Sequence, residues 1–439
     1  MSLLPVVQYG HPEMARFLDR SPTFDPGLVS TVAGIVADVR ARGGEAVLAS
    51  ALAFDSALIT SLFVTDEELA DAVVDPEVHL AIKTAIQRVR DFHELQLQVL
   101  TEDMEDLEPG WGWRTDATDA EDTGFEGQRY LPLARVGVYV PGGLASYPSS
   151  VVMNVVPAQV AGVPFVVVAT PVRKDGTVSP EVLVACRELG VDLILKSGGA
   201  SAVAAMAFGI EGMARVDKIV GPGNAYVNEA KRQVWGTVGL DGYAGPSEVA
   251  VYADATANPT WAAASLLCQL EHAPDNVGML VGSSDDVLAS ILNAIDDLVA
   301  TSPRAEVLRR SLSERSCAVT ASSEEEAVEI LNLFAPEHCT LVVEHAGAVA
   351  QKIVNCGCVL IGPNTPQSSG DYCSGPSHTL PTAGAARFGS PVNVLDFLKV
   401  QSVSMLTSED IHKLAPTITA LATAEGFPGH ALDARVRVQ

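Results

Sequence analysis

Four of the nine histidines lie in polar stretches that are punctuated by glycine and proline, and each stretch also carries a carboxylate or an amide. An imidazole titrates near neutral pH and is a common metal ligand, and a nearby carboxylate can be tuned toward the same range. These stretches are therefore the first candidates for acid–base or metal chemistry. Their histidines are His272, His338, His378 and His430.

Gln269 and His272 are three residues apart, near the end of a predicted helix. Asn258 suits the N-cap of that helix, Pro259 its first position, and Pro274 a stop signal beyond it. Residues three apart share one helix face, so this face could present an amide oxygen and an imidazole to a metal ion. A solvated or capping histidine is the alternative.

Adjacent Glu337 and His338 precede a predicted strand, and a carboxylate beside an imidazole suits general-base work. An ordinary turn with exposed polar residues is the alternative. Asp371 and His378 lie in a loop rich in glycine, serine and proline, as functional loops often are. Near the C-terminus, the stretch 424–430 holds Glu425 and His430, for which a solvated tail is the other interpretation.

The elements that must position these residues follow from hydrophobic periodicity. Residues 25–100 have a helical pattern, in which Thr65 and Glu68 form a capping box. From about residue 133, short apolar runs alternate with helical patterns, which predicts parallel buried sheets in two α/β units, roughly 133–247 and 248–391. The tail from about 392 is predicted to be largely helical, and the acidic stretch 101–128 to be a surface loop or hairpin.

Three turns of the first α/β unit are rich in glycine, at 140–143, 197–201 and 220–226. Glycine at the end of a strand lets backbone N–H groups approach a phosphate, and the following helix N-terminus favours its charge. None of these turns is a full GxGxxG motif, and there is no Walker A sequence. The three together make a nucleotide-binding cleft a candidate, with ordinary tight turns as the alternative.

Composition excludes several classes of partner. The 439 residues carry a formal net charge of −26, which opposes binding to nucleic acid or to anionic membranes. An anionic ligand would then need local positive charge, which a metal ion can supply. The seven scattered cysteines form no CxxC pair, which is typical of free thiols in a reducing cytosol. With no signal peptide pattern and no apolar run of roughly 18–20 residues, a soluble cytoplasmic protein is predicted.

Seven stretches, in this order and spacing, resemble the histidinol dehydrogenase family, and the resemblance runs from about residue 25 to the C-terminus. The matching stretches are VGVYVPGG (136–143), VDKIVGPGNAYVNEAKRQV (216–234), AGPSEV (244–249), QLEH (269–272), APEH (335–338), GDYCSGPSHTLPT (370–382) and AEGFPGH (424–430).

The resemblance implies an α/β fold with two incomplete Rossmann-like domains, parallel sheets and a small helical C-terminal segment, assembled as an intertwined homodimer. The implied division is an N-terminal arm (1–24), a first α/β domain with the zinc and catalytic residues (25–138 and 248–391), a second domain on the NAD side (139–247) and a dimerisation segment (392–439).

The resemblance also implies the residues of the site. One Zn²⁺ per subunit would be held by Gln269, His272, Asp371 and His430, with His430 and the substrate-contacting Glu425 coming from the partner subunit. Substrate would contact Ser247, His338 and His378 as well as the zinc ligands. NAD would contact Tyr139, Asn224 and the position of Ser201.

The implied reaction oxidises L-histidinol through bound L-histidinal to L-histidine, the last steps of histidine biosynthesis, and reduces two NAD⁺. His338 would take the hydroxyl proton in the first oxidation, and Glu337 would activate water to hydrate the aldehyde. One departure is Ser201, where the family has a glutamine that contacts the cofactor. Two alternatives follow: a related zinc and NAD dehydrogenase for another small alcohol, such as a sulfonated propanediol, or a non-catalytic metal- or nucleotide-binding protein.

Overall fold

The structure is a computed structural model that describes residues 2–20, 25–56, 58–101, 111–115, 124–142, 146–242 and 245–439. The chain divides into two compact units. The first comprises Met1–His93 and Ala134–Phe397, and the second Glu94–Leu133 and Leu398–Gln439. The domain limits given above remain a prediction.

The strands alternate with helices through most of the chain. The strands within the described ranges are β1 (Trp111–Arg114), β2 (Phe125–Pro132), β3 (Val136–Tyr139), β4 (Val166–Thr170), β5 (Leu193–Lys196), β6 (Lys218–Val220), β7 (Gly239–Leu240), β8 (Glu248–Ala253), β9 (Val277–Gly282), β10 (Cys317–Thr320), β11 (His338–Val342), β12 (Cys358–Ile361) and β13 (Leu398–Met405).

The helices range from a single turn to more than six turns. They are α1 (Ala15–Leu18), α2 (Pro26–Arg42), α3 (Gly44–Phe54), α4 (Asp66–Ala70), α5 (Pro76–Thr101), α6 (Pro148–Val160), α7 (Pro180–Glu188), α8 (Gly199–Phe208), α9 (Ala225–Val234), α10 (Pro259–Leu270), α11 (Asp285–Thr301), α12 (Ala305–Arg310), α13 (Glu324–Phe334), α14 (Ala346–Ala350), α15 (Gln367–Tyr372), α16 (Ser408–Ala424) and α17 (Pro428–Arg435).

The first unit contains two five-stranded parallel sheets, with strand orders β5-β4-β3-β6-β7 and β10-β9-β8-β11-β12. Every residue of β3, β4, β8 and β9 is buried. Strands that helices cover on both faces are expected to be continuous apolar runs, which is the pattern in the sequence. The predicted α/β class with parallel sheets is confirmed.

The second unit contains a three-stranded antiparallel sheet, β1-β2-β13, and the helices α16 and α17. The helical C-terminus is confirmed, and it is preceded by a strand that the sequence analysis did not predict. β1 and β2 pair as a hairpin would, although 102–110 and 116–123 lie outside the described residues. Over the ranges that the structure describes, no helix is both long and apolar enough to cross a membrane.

The two parallel sheets present opposite ends to one region of the first unit. Tyr139 ends β3 and the stretch 221–224 follows β6, so the first sheet contributes its carboxyl edge. Glu248 and His338 are the first residues of β8 and β11, so the second sheet contributes its amino edge. Ligands of parallel sheets commonly bind beyond carboxyl edges; here the amino edge of a second sheet faces the same space.

Candidate active site

A cavity of about 450 Å³ lies where these two edges meet. It gathers eight of the predicted site residues, namely Asn224, Ser247, Gln269, His272, Glu337, His338, Asp371 and His378. A larger cavity of about 650 Å³ lies beside Trp261 and Leu308, but none of the predicted site residues lines it. The smaller, more polar cavity is therefore the candidate active site.

Helix α10 positions Gln269 and His272 as the sequence predicts. Asn258 caps its N-terminus, with its side-chain oxygen accepting from the N–H groups of Thr260 and Trp261 at 2.9 and 3.2 Å. Gln269 lies in the last turn, and His272 follows the C-cap. Both reach the cavity from the end of one helix.

Asp371, on α15, contacts Gln269 across 102 residues of sequence. The amide nitrogen of Gln269 donates to the two carboxyl oxygens of Asp371 at 2.9 and 2.8 Å. Burial raises the pKa of the Asp371 carboxyl to about 6, and the hydrogen bond from Gln269 opposes that rise. The carboxyl group of Asp371 and the amide group of Gln269 are thus held next to each other in the cavity wall.

His338 begins β11 and is only 2% exposed. Its Nδ1 lies 3.8 Å from Oε2 of Glu337, and its Nε2 lies 3.6 Å from Oδ1 of Asp371. Burial, followed by the neighbouring His378, lowers the pKa of the His338 imidazole to about 3. Burial therefore favours the neutral ring, which has a free nitrogen lone pair to accept a hydrogen bond from a bound hydroxyl group.

Glu337 precedes β11 after a sharp turn, because Ala335 ends α13 in the left-handed conformation with φ 48° and Pro336 follows. Its Oε2 accepts from the backbone N–H of Glu248 at 3.0 Å. Burial raises the pKa of the Glu337 carboxyl well above its ordinary value, and the negative charges of Glu248 and Asp371 raise it further. A raised pKa suits a group that must take up and release a proton near neutral pH.

His378 and Ser247 complete the wall of the cavity. Nε2 of His378 lies 3.5 Å from the hydroxyl of Ser150, and burial lowers the pKa of this imidazole to about 4. The backbone N–H of Ser247 donates to the side-chain oxygen of Asn276 at 3.1 Å. The Asn276 amide also donates to the carbonyl of Gln269 at 2.7 Å.

Asn276 is thus a buried bridge between two predicted site residues, and sequence reasoning missed it. The only signal was its place in the polar stretch after the α10 stop, which does not distinguish it from a loop asparagine.

On the cofactor side, Asn224 lines the cavity and caps α9, since its side-chain oxygen accepts from the N–H groups of Tyr226 and Val227 at 3.0 and 3.2 Å. The Tyr139 hydroxyl accepts from the N–H of Gly199 at 3.1 Å, and burial raises its pKa to about 12. Neither Tyr139 nor Ser201 is among the residues that line the cavity.

Ser201 is 2% exposed and directs its hydroxyl to its own turn. It donates to the carbonyl of Gly198 at 3.0 Å and lies 3.1 Å from the hydroxyl of Ser197. The N–H of Gly198 donates to Asp55 at 3.0 Å, and that of Gly199 to Tyr139. The N–H groups of Gly198 and Gly199, which the sequence analysis considered as phosphate donors, thus form hydrogen bonds within the protein.

The turn after β6 is held by a buried ion pair. Nζ of Lys231 donates to the carbonyl of Gly221 at 2.6 Å and to Asp241 at 2.8 Å, and Asp241 accepts from the N–H of Gly221 at 2.7 Å. The side chains of Lys231 and Asp241 are 1% and 6% exposed. The pair therefore fixes both backbone polar groups of the residue that starts the 221–224 turn.

Lys231→Met is expected to lower the free energy of unfolding by about 3–5 kcal/mol, because it leaves the Asp241 charge buried without its partner. Lys413→Met is the control, since it removes an ion pair with Glu409 whose side chains are 67% and 77% exposed. Urea denaturation measures both. Equal stability losses in the two variants would contradict the role given to burial.

Glu425 and His430 belong to the second unit. Glu425 is the C-cap of α16 and His430 lies in α17, and both are exposed. The ring of Phe427 packs 5.2 Å from that of His430. In the described part of the chain, no group of three or more histidine, cysteine, aspartate or glutamate side chains is placed to hold a metal ion. Of the four residues expected to hold zinc, Gln269, His272 and Asp371 line the cavity of the first unit, and His430 lies in the second unit.

The fold and the cavity define an α/β protein with titratable side chains gathered between two parallel sheets. The family model for histidinol dehydrogenase matches residues 18–438. Histidinol dehydrogenase from Heliobacterium mobile is 41% identical over 441 residues and covers 100% of both chains, and that from Bacillus subtilis is 42% identical over 93% of both.

A crystal structure of histidinol dehydrogenase from Elizabethkingia anophelis superposes with a TM-score of 0.91 at 31% identity, over 100% of this chain and 98% of that one. The chain belongs to the histidinol dehydrogenase family, a family of oxidoreductases.

Proposed function

We propose that this chain oxidises L-histidinol to L-histidine through bound L-histidinal, with two NAD⁺ as acceptors, at the end of histidine biosynthesis. The observation that carries the proposal is the Glu337–His338 pair at the cavity. Its imidazole is kept neutral, and the pKa of its carboxyl is raised, by the same burial. Membership of the histidinol dehydrogenase family supports L-histidinol as the substrate.

His338 and Glu337 each accept a proton in a different step of the reaction. In the first oxidation, neutral His338 takes the proton of the substrate hydroxyl while NAD⁺ accepts the hydride from its carbon. In the second, Glu337 removes a proton from water as the water oxygen bonds to the aldehyde carbon and the carbonyl oxygen takes up a proton. The hydrate then loses its hydride to the second NAD⁺ and a proton to a base, which leaves the acid.

A zinc ion fits the residues of the cavity. Asp371 offers a carboxylate, His272 an imidazole and Gln269 an amide oxygen, and oxygen and nitrogen donors of these kinds suit zinc. We propose that His430 of the partner subunit completes the set. Bound zinc would polarise the alcohol and offset the acidic surroundings.

We further propose an intertwined homodimer of Rossmann-like domains, with borders as predicted above, in which the partner's Glu425 contacts substrate. The side chains of Glu425 and His430 are exposed, which supports this proposal, because an exposed side chain can reach the site of another chain. The seven cysteines are free thiols, which agrees with a cytoplasmic location.

For NAD we propose contacts to Asn224 and Tyr139, with Ser201 acting through the shape of its turn. Asn224→Asp keeps the oxygen that caps α9 but replaces the amide donor by a negative charge. We expect the KM for NAD⁺ to rise about tenfold with little change in stability.

Asn224→Ala is the matched variant for this prediction. It should raise the KM for NAD⁺ similarly and also lower the free energy of unfolding by about 1 kcal/mol, because the cap is lost. Steady-state kinetics and urea denaturation separate the two effects. An unchanged KM in both variants would remove Asn224 from the cofactor site.

The decisive experiment incubates zinc-loaded protein with L-histidinol and NAD⁺ and counts the NADH formed. Two NADH for each L-histidinol consumed supports the proposal. Turnover of a sulfonated propanediol but not of L-histidinol would instead indicate the related dehydrogenase, and no turnover of any alcohol a binding protein. A chelator should abolish activity reversibly on return of zinc, and full activity in chelator would overturn the zinc assignment.

A further inference from the structure

Arg20 and Glu248 form a buried ion pair behind the site. Nη1 of Arg20 lies 2.6 Å from Oε2 of Glu248, and the two side chains are 6% and 3% exposed. The guanidinium also lies 3.9 Å from the centre of the Phe334 ring. Burying two charges is costly, and apolar residues often replace such a pair without loss of stability. Stability alone therefore does not account for this pair.

Glu248 connects this pair to the proposed base. Its backbone N–H, at the start of β8, donates to Oε2 of Glu337 at 3.0 Å. In the sheet, His338 of β11 is in register with Val249 of β8, so backbone pairing holds the imidazole in place without the Glu248 side chain. A shift of Glu248 would move the donor that orients the Glu337 carboxyl.

The side chain of Glu248 also fixes the loop that carries His378. Its Oε1 accepts from the backbone N–H of Ala383 at 2.9 Å, and Ala383 adopts a left-handed φ of 56°. Without the charge of Arg20, this buried carboxylate would lose its counter-ion while keeping a single backbone donor from that loop. Arg20 therefore sets the position of Glu248, and through it that of Glu337.

We propose that Arg20 and Glu248 are positioning residues for Glu337, and that they matter chiefly for the oxidation of the aldehyde to the acid. The inference rests on the proposed function, in which Glu337 activates the water of that step. Misplacing a catalytic group by about 1 Å can cost about 100-fold in rate. His338 serves the first oxidation and is fixed by its own strand, so the first step should be less sensitive.

The test compares the two oxidations separately in Arg20→Met and Glu248→Gln. Glu248→Gln retains the backbone N–H and a side-chain oxygen for Ala383, but it loses the charge and replaces the oxygen that faces Arg20 by an amide NH2 group. Single-turnover NADH formation from L-histidinol reports the first oxidation, and turnover of L-histidinal reports the second. We expect the second to slow about 10- to 100-fold and the first to change less than threefold, so that the NADH formed per L-histidinol falls from two toward one.

Two further variants separate positioning from stability. Arg20→Lys keeps the charge and should recover most of the aldehyde oxidation. Lys218→Met removes another ion pair of the first unit, with Asp396 at 2.6 Å, and should leave the ratio of the two rates unchanged even where it lowers the Tm. Equal slowing of both oxidations in Arg20→Met and Glu248→Gln, or no slowing of either, would overturn the inference.

Glu337→Gln distinguishes a failure of the inference from a failure of the proposed function. If it slows aldehyde oxidation while the Arg20 and Glu248 variants do not, the positioning role is wrong and the base assignment stands. If Glu337→Gln leaves aldehyde oxidation unchanged, the base assignment is itself wrong, and the inference falls with it. Should Arg20→Met fail to fold, Glu248→Gln gives the same decision.

Discussion

Glu337→Gln should leave an enzyme that makes aldehyde and advances little further. Oxidation of L-histidinal is expected to fall by about 10²- to 10⁴-fold, the usual contribution of a general base, while the first hydride transfer from L-histidinol changes far less. The fold should tolerate the change, because a glutamine oxygen can still accept from the N–H of Glu248 as Oε2 does now at 3.0 Å. Turnover of each substrate, followed as NADH, measures the difference.

The pH dependence of aldehyde oxidation checks the same assignment. Glu337 must be deprotonated to accept a proton from water, and burial, then the charges of Glu248 and Asp371, raises the pKa of its carboxyl well above the usual value. The rate should therefore rise with pH through a limb that lies above the ordinary range of glutamate and is lost in Glu337→Gln. Glu344→Gln, at an exposed position after β11, is the control and should retain that limb.

An unchanged profile and rate in Glu337→Gln would transfer the base role to another group. The nearest such group is His338, whose Nδ1 lies 3.8 Å from Oε2 of Glu337. In that case the low pKa of the imidazole, about 3, would place the acid limb far below neutrality. The position of the limb therefore distinguishes the two candidates.

Local features of the fold could be predicted from sequence because their cause is local. Thr65 and Glu68 form both hydrogen bonds of the predicted capping box, at 3.2 and 2.8 Å, and Asn258 caps α10. The buried parallel strands follow from continuous apolar runs, because a strand that is covered on both faces has no polar side. Strand β13 was missed because its residues are mostly exposed and no such run marks it.

The site contacts could not be derived from local pattern, since they join residues that are distant in sequence. Gln269 and Asp371 are 102 positions apart, and Arg20 and Glu248 are 228 apart. Which strand ends face one cavity depends on strand order, and sequence periodicity does not fix that order. The family resemblance supplied the set of residues. The hydrogen bonds of Asn276 and of the Gly198 and Gly199 N–H groups depend on the three-dimensional fold and leave no local mark in the sequence.

Gly221→Ala should destabilise the protein by about 3 kcal/mol or more, among the larger effects of a single substitution. Gly221 has φ 106°, and a Cβ built on it would lie 2.2 Å from the carbonyl oxygen of Tyr139. That oxygen belongs to the last residue of β3, so relief requires movement of the sheet rather than of a side chain. Lys231 and Asp241 hold the polar groups of Gly221 and prevent the turn itself from moving away.

Gly236→Ala separates backbone strain from this collision. Gly236 also has a positive φ, 92°, but a Cβ there would meet nothing within 4 Å. Gly236→Ala should lower the free energy of unfolding by about 1–2 kcal/mol, the cost of holding an alanine in the left-handed conformation. Urea denaturation of both variants gives the difference, and the folded fraction of Gly221→Ala should also show a raised KM for NAD⁺, because the turn leads directly to Asn224. Similar losses of stability in the two alanine variants would contradict this prediction. They would mean that the end of β3 or the 221–224 turn can move apart at little cost, despite the ion pair of Lys231.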